Sequence, residues 1–292
     1  MTAAGTGMTA EGTGMTAEGT CTTAEGTRTT AEGTCTTAEG TCTTAEAPWE
    51  RYAAPARRRI ILMRHASVSY YTPEGSPVDP DAVELNALGI RQAHQAAALL
   101  ASHPLKVDRI LTSNLPRTLQ TADIVAGQLG PGARRDAHAA LAEIRKGSYA
   151  HARGKELHDA FLGPFRGAPP LSTRFQFGES LHEVFERVLP VVEQEMADHR
   201  WQCALWVLHG GINRALLSWW LCGERRWLGN LLQQPACINL IDAAPDGHEV
   251  IVRAVNLWAS DLIQAQSRIS TVEAQLLEFE RGLPSPPGAV RG

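Results

Sequence analysis

The stretch Arg59-Ile60-Ile61-Leu62-Met63-Arg64-His65-Ala66-Ser67 limits what this chain can fold into more than any other. Four consecutive apolar residues followed by a polar turn are too few for an independent helix. They read as a strand buried on both faces, the kind found in a parallel or mixed sheet covered by helices. Ligands bind at the C-terminal ends of strands in such sheets. Arg64 and His65 therefore stand where chemistry is expected.

The same layout recurs along the chain. Residues 107–111 read as a second strand ending at Thr112-Ser113-Asn114. Ser113 is expected to cap a helix running to about Gln128, with Pro116 in its first turn and Arg117 near its start. Cys203–Leu208 is a third apolar run and leads straight into His209-Gly210-Gly211 and a helix over residues 212–221. Residues 236–241 and 249–255 read as two further strands joined through Asp246-Gly247. Asn86 should cap a helix over Ala87–Ala101, whose Gly89 points to close packing on the sheet. Ser180 and Glu183 form a capping box that opens another helix. Strands alternating with helices indicate an α/β domain.

Residues 132–178 show no regular pattern, but Leu141-Ala142-Glu143-Ile144 places a carboxylate among apolar neighbours. After Trp258, the residues Leu262, Ala265, Ile269, Val272, Leu276 and Phe279 are spaced for one last helix, expected to dock on the body rather than to dimerise. Residues 1–46 repeat a seven-residue theme of Thr, Ala, Glu and Gly without a single Leu, Ile, Val or aromatic residue. Such sequence buries too little apolar area to offset chain entropy and lacks the a and d positions of a coiled coil. The expected organisation is a disordered repeat and linker over 1–55, a catalytic domain over 56–260, and a docking helix with a disordered tail over 261–292.

Charge and cysteine content exclude several classes. The formal net charge of -4 comes largely from the repeat, so the body is near neutral and offers no basic face for nucleic acid. The six cysteines show no paired spacing for zinc or disulfides. No apolar run is long enough to span a membrane, and the start lacks a basic segment followed by an apolar one. A cytoplasmic protein, monomer or dimer, is expected.

Two strand ends thus supply His65 and His209, and two turns supply Arg64 and Arg117, a cationic set without metal-ligand spacing. Guanidinium forks match phosphoryl oxygens, and a neutral imidazole can attack phosphorus. Positive neighbours disfavour protonation of His65. Glu143, if brought to the site, could protonate a leaving oxygen and then activate water.

At this point the motifs carry a resemblance. Arg64-His65-Ala66 resembles the Arg-His-Gly signature of the histidine phosphatase superfamily, the phosphoglycerate-mutase-like proteins. Leu85 to Gly89 with Gln92-Ala93, the segment from Ser113 to Ala122, Leu141 to Gly147, Gly178-Glu179-Ser180, and Val207 to Leu216 resemble further family motifs in family order. The resemblance spans about residues 58–260. It implies a three-layer α/β sandwich with a mostly parallel central sheet flanked by helices. It also implies that His65 is the phosphorylated nucleophile, that Arg64, Arg117 and His209 clamp the phosphate, that Glu143 is acid and base, and that no metal or cofactor takes part. Arg214 is assigned to helix packing or a salt bridge.

The chain departs from the family at Ala66 in place of Gly, Val68 in place of Ser or Thr, Tyr71 where mutases have Asn, and His151 in place of a second Gly. The segment from Glu143 to His209 is shorter than in mutases, which favours a hydrolase with a small cap. The resulting expectation is a phosphomonoesterase acting through a phosphohistidine on a small phosphate monoester. A phosphoglycerate-type mutase and a phospho-ligand-binding pseudoenzyme are the alternatives. Small sugar phosphates, cobalamin nucleotide-loop precursors and phosphoproteins all remain open as substrates.

Overall fold

The computed structural model describes residues 55–72, 76–148, 152–245, 247, 249–265 and 268–282, together with four short backbone stretches between residues 19 and 43. It divides into two units, Met1–Ala54 and Pro55–Gly292. In the first, β1 (Gly19–Thr23) pairs antiparallel with β2 (Gly26–Thr30), and β3 (Thr34–Thr37) with β4 (Gly40–Thr43). Composition predicts no regular structure there, yet β-branched Thr favours extended pairing and the backbone of these stretches forms ladders. The rest of the repeat lies outside the described residues, as do His151 and the tail beyond Gly282.

The second unit is built on a six-stranded sheet: β5 (Arg58–Arg64), β6 (Arg109–Thr112), β7 (Arg134–Ala137), β8 (Cys203–Leu208), β9 (Ile238–Ala243) and β10 (Val250–Leu257), in the order β10-β9-β5-β8-β6-β7. The pairs β5·β8, β8·β6 and β6·β7 are parallel, whereas β9 runs antiparallel to both β5 and β10. The unbroken apolar runs have the reason expected of them, because successive side chains face different helix layers. Ile60 and Leu62 join Trp206 and Leu208 against α4 (Leu181–Ala197) and α5 (Gly210–Cys222). Ile61 and Met63 join Leu205 and Val207 against α1 (Ala87–Ala101) and α2 (Pro116–Leu129). All four β5 residues are 0% exposed, and each contributes about 1.5–3 kcal/mol by burial.

Local signals set the helix starts. The Asn86 side chain accepts a hydrogen bond from Gly89 N–H at 2.8 Å, and Ser180 and Glu183 make both bonds of the capping box. Gly89 lets α1 meet the loop after β5, since a Cβ there would lie 2.1 Å from the Ser67 carbonyl oxygen.

Three expectations need correction. Ser113 does not cap α2; that position is taken by extended Leu115, which has no side-chain bond, with Pro116 as the first helical residue. The region 132–178 is more regular than its sequence suggests, holding β7 and α3 (Gly154–Leu162). Strand β7 is the polar edge segment Arg-Arg-Asp-Ala, which takes its pairing from β6 rather than from any alternation of its own. Helix α3 starts after Arg153 without a side-chain cap. Finally, the last helix, α6 (Thr271–Gly282), begins well after Leu262 and Ile263, which are exposed. Its start is set by Ser270 and Glu273, which exchange capping bonds of 2.6 and 3.2 Å. Its Leu276 packs with Leu157 and Phe161 of α3.

Candidate active site

The parallel register that pairs Arg64 with Leu208 carries both chains one residue further to their histidines. The His65 N–H donates to the Leu208 carbonyl at 2.9 Å, and the rings of His65 and His209 meet edge to face with centroids 5.2 Å apart. Both rings are buried. His65 Nδ1 lies 2.8 Å from the Ala66 carbonyl oxygen. A carbonyl can only accept, so this nitrogen carries the proton and Nε2 keeps its lone pair. His209 Nε2 lies 2.8 Å from the Ser113 hydroxyl, which explains where Ser113 points instead of capping α2. Burial, then the charges of Arg117 and Arg64, holds the His65 pKa well below the usual histidine range. Burial, then His65 and the same two arginines, does so for His209. Both rings are neutral near pH 7.

The arginines are anchored at one nitrogen each. Arg64 Nη1 donates to the Gln233 carbonyl at 2.7 Å, and Arg117 Nη1 to the Pro80 carbonyl at 2.5 Å. The Thr121 hydroxyl donates to the Arg117 carbonyl at 2.7 Å and accepts from Ala66 N–H at 3.1 Å, tying the first turn of α2 to the residue after His65. Among the described residues, Nε of Arg64, Nε of Arg117 and Nδ1 of His209 are buried without a protein partner. Converging buried donors of this kind suit an oxyanion. Ala66 carries no strain, for it is not among the non-glycine residues with positive φ.

Glu143 reaches the site from its loop. Its carboxylate oxygens accept from Gly211 N–H at 3.1 and 3.2 Å, and Oε1 also accepts from Ile144 N–H at 3.0 Å. Only glycine fits opposite it, because a Cβ on residue 211 would stand 2.5 Å from Glu143 Oε1. The loop is pinned by Glu179 of the Gly-Glu-Ser motif. Its carboxylate accepts two bonds of 2.7 Å from Arg187 and one of 3.1 Å from Arg145 N–H, while Arg187 Nη1 holds the carbonyls of Ala140 and Ala142.

Arg64, His65 and Glu143 line a cavity of about 330 Å³. Its wall also includes Tyr70, Lys146, Arg214, Trp258 and the face of α6 from Thr271 to Glu278, none of which the motifs assign to the site. Of the helix packing or salt bridge expected of Arg214, no salt bridge is made among the described residues. Its Nη1 donates to the Gly210 carbonyl at 3.1 Å, and its guanidinium lies 4.7 Å over the Phe165 ring. Among the described residues no group of three His, Cys, Asp or Glu side chains could hold a metal ion, and no helix is long and apolar enough to cross a membrane.

The family model of the histidine phosphatase superfamily (branch 1) matches residues 60–256. The chain belongs to that superfamily. A 2,3-bisphosphoglycerate-dependent phosphoglycerate mutase of Xanthobacter autotrophicus is 31% identical over 150 residues, covering 48% of this chain and 68% of the relative. The mitochondrial serine/threonine-protein phosphatase PGAM5 of Rattus norvegicus is 38% identical over 86 residues, but those span only 30% of this chain and 28% of that protein. The structure of a mycobacterial glucosyl-3-phosphoglycerate phosphatase superposes with a TM-score of 0.53 at 23% identity, covering 68% of this chain and 99% of the other, and shares its fold.

Proposed function

We propose that the chain is a metal-independent phosphomonoester hydrolase working through a phosphohistidine at His65. The observation that carries this reading is the bond from His65 Nδ1–H to the Ala66 carbonyl, which leaves a neutral, buried Nε2 lone pair beside two guanidinium groups. Nε2 attacks phosphorus, the P–O ester bond breaks, and the leaving oxygen takes a proton from Glu143. The resulting carboxylate then removes a proton from water as it attacks the phosphohistidine, which releases inorganic phosphate and restores Nε2. Arg64, Arg117 and His209 Nδ1–H offset the charge on the phosphoryl oxygens. A cavity of about 330 Å³ fits a small monoester. The free thiols of Cys203, Cys222 and Cys237 are in keeping with a reducing cytoplasm.

A mutase is the second reading, favoured by the Xanthobacter relative. The test is hydrolysis of p-nitrophenyl phosphate by wild type and His65→Ala, with denaturation at alkaline pH to trap an acid-labile, base-stable phosphoenzyme. Turnover and phosphoenzyme in wild type, both lost in the variant, support the proposal. Equal background in both would identify a binding protein, and phosphoryl transfer to added phosphoglycerate in place of water would identify a mutase.

A further inference from the structure

We propose that Asn256 is a positioning residue of the phosphate clamp, acting through Arg64 by fixing the peptide unit that anchors its guanidinium. The role of Arg64 toward the phosphoryl group rests on the phosphatase reading. Arg64 Nη1 donates to the Gln233 carbonyl at 2.7 Å. The N–H of that same peptide unit belongs to Gln234, and it donates to Asn256 Oδ1 at 2.7 Å. A peptide is planar, with C=O and N–H pointing opposite ways, so a hold on one end sets the direction of the other. The two bonds also polarise one another, which makes the carbonyl a better acceptor for a charged donor. Asn256 is itself placed by an irregularity in the sheet. The β9·β10 register shifts between Ala254 and Leu257, and Asn256 has a φ of 56°, a left-handed value that asparagine tolerates better than most residues. Its own N–H donates to the Asn239 side-chain oxygen at 2.8 Å. Bulges re-aim side chains in this way next to active sites.

Behind that peptide lies a buried amide cluster. Gln233 and Asn239 are both 0% exposed and pair reciprocally, each amide nitrogen donating to the other's oxygen at 2.9 Å. Their nitrogens also donate to the Leu232 and Leu62 carbonyls, at 3.0 and 2.9 Å, and Asn213 Nδ2 of α5 donates to Gln233 Oε1 at 3.1 Å. A carbonyl can only accept, so neither amide can turn over without losing a bond. A buried polar group that is satisfied on every side rigidifies what it holds, whereas one left short is costly. Apolar side chains and an unbroken β9·β10 ladder would fill the same space without that liability. The cluster and the bulge instead converge on the Gln233–Gln234 peptide, and that peptide carries Arg64. Held there by Nη1, Arg64 keeps its buried Nε without a protein partner.

The test is Asn256→Gly in the full chain, because glycine takes the same φ without strain and removes only the acceptor. Titration calorimetry with inorganic phosphate should show binding weakened about tenfold, the worth of the bond to charged Arg64 that goes with the anchor, and kcat/KM for p-nitrophenyl phosphate should fall by a similar factor. Asn256→Asp keeps an acceptor oxygen on the same stem and should recover most of both. In an Arg64→Met background, Asn256→Gly should change phosphate affinity by less than about twofold, because the two residues act as a unit. Equal losses in both backgrounds, no loss in either, or no recovery with aspartate would overturn the positioning role, while turnover by wild type keeps the phosphatase reading. Phosphate binding that follows the expected pattern in a chain that hydrolyses p-nitrophenyl phosphate no faster than His65→Ala would uphold the clamp and overturn the phosphatase.

Discussion

His65 and His209 stand at the ends of adjacent strands that are buried on both faces, whereas Glu143 stands in a loop held by two backbone N–H groups and the Glu179–Arg187 pair. The first half of the site inherits its geometry from the core, and to displace a histidine the sheet itself must open. The second half joins the core only through Leu141 and Ile144 beside Glu143 and is otherwise held by a few polar bonds, while α3 and α6 meet through a small apolar cluster of their own. Local opening is cheap where apolar contacts are few. The nucleophile is thus on the rigid side, and the groups that move protons and meet the leaving group are on the side that can yield.

The sharpest way to separate the halves is Glu143→Gln. It should lower kcat for alkyl phosphates about 10²- to 10⁴-fold, while p-nitrophenyl phosphate, whose leaving group needs no proton, still forms the phosphoenzyme in a rapid-quench burst. Loss of that burst would mean that Glu143 also positions the nucleophilic half.

Truncation of the core comes next. Ile61→Ala should cost about 2–5 kcal/mol in urea unfolding, because a fully buried side chain leaves a cavity between β5 and its covering helices. Leu276→Ala should cost less globally, and should instead speed amide exchange in α6. Equal global effects would contradict the division into a rigid and a yielding half.

The third test is pH. Both histidines have folded pKa values below their unfolded ones, so below about pH 6.5 the unfolded chain binds protons that the native one refuses. Their contribution to stability is present above that pH and is lost as pH falls through it, with a limiting slope of about 2.7 kcal/mol per pH unit for two protons. Urea midpoints at pH 7.5 and 5.5 check this, and His209→Gln should reduce the slope. A slope unchanged by that substitution would show that other groups set the dependence. The smallest effect is expected from Ala66→Gly, within about 1 kcal/mol and with unchanged phosphoenzyme formation, since Ala66 already has an ordinary φ.

Much of the rigid half was legible in advance. The runs ending at Arg64-His65 and His209, the Asn86 cap and the Ser180–Glu183 box are contiguous patterns with a local physical meaning, and each became the element expected. The yielding half was not. Strand β7 has no alternation to read, and α3 has no side-chain cap. The Ser270–Glu273 box that starts α6 was masked by an apolar spacing that begins too early, at Leu262. Ser113 carried a capping signal, but its hydroxyl is spent on His209.

What the sequence by itself determined is the set of buried strands and capped helices and the order in which they deliver histidine, arginine and carboxylate, because burial and capping act within a few residues. Only the tertiary structure decided that Gly211 receives the Glu143 carboxylate, that Ser113 serves a ring 96 residues away, and that Arg214 and Lys146 line the same cavity as Glu143. Those are contacts between segments far apart in the chain, and no local pattern encodes which distant group will lie opposite a given side chain once the sheet has closed.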